Sequence, residues 1–286
     1  MRGGLPKDMQ KFLPSNSRSP VSGNWRPRVC AVSFLNTVPL VWGMLHGEQR
    51  GRFDISFAVP SECADRLEQG SADIGIVPVV ELARLDLEVI EGTGIACRGP
   101  ARSVLLVSRK PLREIRTLAA DSSSRTSVAL ARIILAELYG VTPELRPMPP
   151  VLARMLEAAD AAVLIGDPAL NVDPDRSPFE VRDLGAAWVE LTGKPMVFAV
   201  WAGCRRLAPA RLAADFAASC RFGLERMEEI VAAESARRRL APELVRNYLT
   251  RNVVLELGEN EREGLKLFLE QAARLDAISP NGILRR

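Results

Sequence analysis

In the stretch DSSSRTSVALARIILAELYG, residues 121–140, five hydroxyl side chains and an arginine stand immediately ahead of a strongly periodic apolar run. Ser122, Ser123, Ser124, Thr126 and Ser127 suit a helix start better than a helix interior, because their oxygens can accept from the free N–H groups of a first turn. From Val128 onward, apolar residues recur at roughly helical spacing, and Gly140 is a suitable stop, which predicts a helix over 125–139. A helix start offers free donors and the positive end of a dipole, so the natural ligand there is an anion. One hydroxyl is enough for a cap. The surplus, with Arg125 beside it, makes Ser124, Arg125, Thr126 and Ser127 candidate anion contacts.

Other chemistry is limited by what the chain lacks. His46 is the only histidine and falls at a predicted helix end, so a Ser-His-Asp triad or a His-based metal site has no material, and no metal or cofactor is expected. The five cysteines are far apart in sequence, without a C-x-x-C pair, which argues against a disulfide framework or a zinc site. The net charge of +3 comes from scattered arginines balanced by carboxylates, with no basic block to suggest nucleic acid or a membrane surface as partner. Residues 1–26 are polar and rich in Pro, Ser and Gly; they read as a mostly disordered tail without the apolar core of a signal peptide, which favours a cytoplasmic location.

The elements that must position such residues follow from periodicity. Strands are predicted at 28–34, 53–60, 72–81, 103–109, 161–170 and 196–203, with a strand and turn at VTPELRPMPP. A short helix is predicted at 61–70 with Ser61 as its cap, another at 152–160, and long helical stretches at 208–237, 241–251 and 259–276. Strands alternating with helices define an α/β chain. Two such units, with crossings near 103–109 and 197–203, describe a bilobal protein: residues 27–104 and 204–286 form one lobe and 105–203 the other. Ligands in such proteins bind between the lobes, at the carboxyl ends of strands and amino ends of helices.

Taken in order, SFLNTVPL, VPSECADRLEQGSADIGIVPVVE, GIACRGPARSVLLVS, DSSSRTSVALARIIL, LIGDPAL and DLGAAWVELTGKPMVFAVW resemble the chorismate dehydratases of the futalosine route to menaquinone. The resemblance is dense over about 28–205 and loose in the C-terminal helices. It implies the type II periplasmic-binding-protein fold recast as a cytoplasmic enzyme, and a lyase converting chorismate to 3-[(1-carboxyvinyl)oxy]benzoate without a cofactor. A sister family, the 1,4-dihydroxy-6-naphthoate synthases, shares the fold but uses a catalytic histidine. Its first motif is richer in Pro and Cys than Ser33-Phe34-Leu35-Asn36-Thr37. The match here is to the dehydratase type.

Chorismate is a dicarboxylate, and loss of its ring hydroxyl makes the ring aromatic. The resemblance points to Asn36 and Ser103 as the residues that orient the ring, with the substrate's own side-chain carboxylate taking the proton because no histidine base is at hand. Ser33 lies in the same loop as Asn36 and is a candidate substrate contact. Ser61 either caps its helix or contacts substrate, and Asp167 either caps the turn before Pro168 or lines the cleft. A non-catalytic anion-binding protein and a regulator's sensor domain remain the alternatives within this fold. Oligomeric state is not legible in the sequence.

Overall fold

The structure is a computed structural model that describes residues 26–278 apart from Ala208. The predicted tail therefore lies, but for Arg26, outside the described residues.

The chain begins with β1 (Arg28–Val32), α1 (Val38–His46), β2 (Asp54–Ala58), α2 (Pro60–Glu68), β3 (Ile74–Pro78) and β4 (Leu87–Cys97). It continues through β5 (Val104–Ser108), β6 (Thr117–Asp121), α3 (Thr126–Tyr139), β7 (Glu144–Met148), α4 (Leu152–Ala158), β8 (Ala161–Ile165), α5 (Gly166–Leu170), β9 (Glu180–Asp183) and α6 (Leu184–Thr192). It ends with β10 (Met196–Cys204), α7 (Ala213–Glu225), α8 (Met227–Arg238), α9 (Pro242–Asn247), β11 (Val254–Glu256) and α10 (Glu259–Ile278).

These strands form two sheets, a six-stranded one in the order β11-β4-β10-β3-β1-β2 and a five-stranded one in the order β7-β6-β8-β5-β9. β3 and β5 read as unbroken apolar runs because they are buried along their whole length, whereas the edge strand β7 has no fully buried residue. β10 returns from the second unit and pairs antiparallel with both β3 and β4, so the strand expected as the second crossing belongs to the first sheet throughout. One apolar core runs under both sheets: Val79, Val80 and Cys97 pack with Leu130, Ile134, Trp188 and, from α10, Phe268. Trp188 and Phe268 meet edge to face, with ring centroids 5.7 Å apart.

Several expected boundaries are corrected. The strand predicted over 72–81 stops at Pro78, which has no N–H to extend the ladder, and a 3-10 turn covers Val79–Ala83. The strand predicted over 161–170 stops at Ile165, and Gly166 to Leu170 turn into α5. Gly166 has φ +61, and a Cβ there would lie 2.5 Å from the Phe34 ring, so only glycine fits. The helix predicted over 208–237 breaks at Arg226 (φ −115, ψ 32), which turns the chain away after α7 has packed along α1. In place of a helix over 241–251, α9 is followed by one π-helical turn, Tyr248–Asn252. Helix α2 starts at Pro60 with Val59 at its cap, so Ser61 lies inside the first turn and caps nothing. The cysteines so far apart in sequence include one buried pair, Cys30 on β1 and Cys63 on α2, whose sulfurs are 3.3 Å apart.

Candidate active site

The loop after β1 carries Asn36 into a buried 3-10 turn, Leu35–Thr37. The Thr37 hydroxyl donates to Asn36 Oδ1 at 3.4 Å. Ser103 stands just ahead of β5 and is also buried; its backbone carbonyl accepts from the Gly166 N–H at 2.8 Å. Between these two side chains comes Tyr248, from the π-helical turn. Its hydroxyl donates to Ser103 Oγ at 2.8 Å in a buried contact between residues 145 positions apart. Burial pushes the phenol up to about 12, against weaker opposing pulls from Ser103, Asn36 and Arg238, so it stays protonated at neutral pH.

A second cluster holds that loop in place. Asp167, in the first turn of α5, accepts the Leu35 N–H on Oδ1 at 3.0 Å and the Arg238 guanidinium on Oδ2. Arg238, at the end of α8, also donates to Glu234 at 2.7 Å and to the Ser33 carbonyl at 3.0 Å. Asp167 thus lies beside the cleft loop and is committed to protein donors. Ser33 itself is exposed, and its N–H donates to the Ala58 carbonyl.

The amino end of α3 is arranged differently. The first turn begins at Thr126, and Ser124 Oγ accepts the Ser127 N–H at 3.3 Å, so Ser124 supplies the cap. Gly140 ends the helix in the left-handed conformation, φ 69. Asp121, the last residue of β6, accepts the N–H and hydroxyl of Ser123 on Oδ1, at 2.9 and 2.7 Å. Its Oδ2 has no hydrogen-bond partner among the described residues, and neither has Thr126 Oγ1, although both residues are at least 97% buried, with relative exposures of 1% and 3%. Burial raises the Asp121 carboxyl above its ordinary range, while Ser123 and the Ile165 amide pull the other way.

The two lobes touch across this region. The Ser61 N–H donates to the Ser123 carbonyl at 3.1 Å. Arg125 turns its guanidinium to the first lobe, donating to Glu81 and to Asp65, each at 2.7 Å, and Arg84 donates to the buried Glu81 from the other side at 2.8 Å. In this conformation the Arg125 charge is spent on carboxylates of α2 and of the turn after β3.

The structure therefore gathers the residues singled out by sequence into two groups. Asn36, Ser103, Asp167 and the Ser33 carbonyl meet through Tyr248 and Arg238. Ser61, Ser124, Arg125, Thr126 and Ser127 surround the start of α3. Three participants escaped the sequence reading. Tyr248 and Arg238 lie in Ala-, Leu- and Arg-rich helices with no local mark of function, and Asp121 opens the hydroxyl run but was given no role of its own. His46 is exposed at the end of α1, its ring 4.1 Å from that of Trp42. Among the described residues no group of His, Cys, Asp or Glu could hold a metal, and no helix is long and apolar enough to cross a membrane.

Two mixed sheets flanked by helices define a bilobal α/β protein of the periplasmic-binding-protein type. Solved structures carry the same fold. A protein of Archaeoglobus fulgidus matches with a TM-score of 0.66 at 18% identity, covering 88% of this chain and 98% of its own. The periplasmic aliphatic sulphonate binding protein of Escherichia coli matches at 0.60 and 16% identity, covering 91% and 96%. Within that fold class, the chain belongs to the menaquinone biosynthesis family, whose model matches residues 27–274. It is 32% identical over 236 residues to the chorismate dehydratase of Thermus thermophilus, covering 76% of this chain and 86% of that one.

Proposed function

We propose that the protein is a chorismate dehydratase, forming 3-[(1-carboxyvinyl)oxy]benzoate and water in the futalosine route to menaquinone. Family membership and the dehydratase relative support the reaction. The observation that carries the binding mode is the buried Thr126 hydroxyl, without a partner among the described residues, at the amino end of a 14-residue helix. There it would complete a donor set for one substrate carboxylate, together with first-turn N–H groups and without a buried cation.

Elimination moves the electron pair of a ring C–H bond into the new aromatic π system as the ring C–O bond breaks. The proton and the departing hydroxide together make up the water. With no histidine nearby, the substrate's side-chain carboxylate is the proton acceptor in this reading, and Asn36 and Ser103 hold the ring. Ser61 and Arg125 act at one remove, by bringing the lobes together around the bound molecule. The closing bodies are the lobe of residues 27–104 and 204–286 and the lobe of residues 105–203. As a biosynthetic enzyme acting on a small soluble dicarboxylate, the protein is assigned to the cytoplasm.

Incubation of the purified protein with chorismate should produce a new aromatic absorbance and a product lighter than chorismate by one water. Stable binding of chorismate that is recovered unchanged would turn the reading into that of a binding protein.

A further inference from the structure

We infer that Tyr248 is a positioning residue for this reaction: it fixes the Ser103 hydroxyl as a donor to the substrate. The inference rests on the dehydratase reading. A serine hydroxyl has one proton to donate and two lone pairs that accept. The Tyr248 hydroxyl donates to Ser103 Oγ at 2.8 Å and occupies one of those lone pairs. The phenol is protonated at neutral pH, with burial holding it up to about 12, so it keeps a proton to donate to Ser103 throughout turnover. While the phenol donates to it, Ser103 has its own proton free to point elsewhere, and in the dehydratase reading that proton is offered to the bound substrate. A developing hydroxide is the group in this reaction that most needs such a donor, and donors aimed in advance where charge develops stabilise the transition state more than the ground state.

The placement of Tyr248 supports the assignment. The residue is 1% exposed and clusters with Leu35, Val38 and Leu170, so its ring has little freedom to rotate away. Asn36 lies against the same hydroxyl, which links both residues read as holding the ring through one phenol. Tyr248 opens a π-helical turn, an irregularity that recurs at functional sites because it re-aims one side chain without ending the helix. The C-terminal helices, silent in the sequence, thereby deliver a residue to the site.

The test compares wild type, Tyr248→Phe, Ser103→Ala and the double variant, with turnover followed on chorismate and binding measured by calorimetry. Tyr248→Phe removes one oxygen and keeps the ring. It should lower kcat by roughly tenfold to a hundredfold with KM nearly unchanged, and the double variant should be no slower than Ser103→Ala alone. Equal kcat for Tyr248→Phe and wild type, or losses that multiply in the double variant, would overturn the inference and leave the dehydratase reading intact. A wild-type protein that leaves chorismate unchanged brings down that reading and this inference together. Should Tyr248→Phe fail to fold, the chain's other tyrosine, Tyr139, is replaced by Phe and 3-fluorotyrosine is incorporated at 248. The more acidic phenol should change kcat severalfold at constant KM, and an unchanged kcat overturns the inference.

Discussion

The two polar clusters of the candidate site, its two walls in the proposed reading, are built to different rules. Around Asp167 and Arg238 the charges are spoken for: both Asp167 oxygens are used, and Arg238 reaches a second carboxylate and a backbone carbonyl. Around the start of α3, a carboxylate oxygen and a hydroxyl are buried with no partner among the described residues. Leaving such groups unmet costs stability, and native structures tolerate it chiefly where something else comes to meet them. The first wall holds a loop still. In the proposed reading the second is where the ligand binds, with the Thr126 hydroxyl as its donor. The contrast teaches that the residues most visible in sequence as polar are not equally available, and that saturation separates a structural carboxylate from a binding site better than residue type does.

Substitutions can break or sharpen that contrast. The largest change is expected from Asp167→Ala, which leaves Arg238 buried with one carboxylate fewer and frees the Leu35 N–H. The unfolding free energy should fall by about 2–3 kcal/mol, read by denaturant titration, with turnover reduced as the Asn36 loop loosens. Thr126→Val should do the reverse. Its hydroxyl has no partner among the described residues to lose, and removing it relieves an unmet buried polar group, so stability should rise by about 1 kcal/mol. Chorismate affinity should nevertheless fall about ten- to a hundredfold, the worth of a charge-assisted hydrogen bond of about 1.5–3 kcal/mol, measured by calorimetry. Unchanged binding in Thr126→Val would remove the main difference between the walls.

The smallest effect concerns Asp121 and depends on pH. Burial raises its folded-state carboxyl above the ordinary value of 3.8. The native protein thus keeps this proton to higher pH than the unfolded chain, and the group's contribution to stability declines as pH rises from that value through the raised one. Asp121→Asn, which cannot ionise, should be the more stable protein at neutral pH, and its advantage should vanish towards pH 3.8. Melting curves across that range check the sign. A wild-type protein that instead gains on the variant with rising pH would mean that the unpartnered oxygen has found a donor.

Much of this was legible in the sequence, for stated reasons. The alternation of buried strands and helices, the α3 helix with its Gly140 stop, and the loop bearing Asn36 all show in local patterns, and the resemblance tied them to a family. What stayed hidden depends on contacts between distant residues. The break at Arg226 has no Gly or Pro at the turning residue itself, and Gly223 just ahead of it is still helical and packed on Pro39, so helical periodicity ran straight through. Tyr248 looks like one more apolar position in a C-terminal helix until the π-helical turn aims it at Ser103, and Arg238 looks like one more surface arginine. Arg125 carried the opposite error: its charge beside a hydroxyl run suggested an anion, while Glu81 and Asp65, both from elsewhere in the chain, hold it in this conformation.

The position of β10 has a consequence for synthesis on the ribosome. It fills the slot between β3 and β4, yet it is translated about a hundred residues after them, and until it emerges both strands show unpaired backbone to the cytosol. The five-stranded sheet has no such gap, since all its strands lie between Val104 and Asp183. The sheet made first is therefore the sheet completed last, and a nascent chain stalled before β10 would hold open strand edges in its first sheet while every strand of its second was already made.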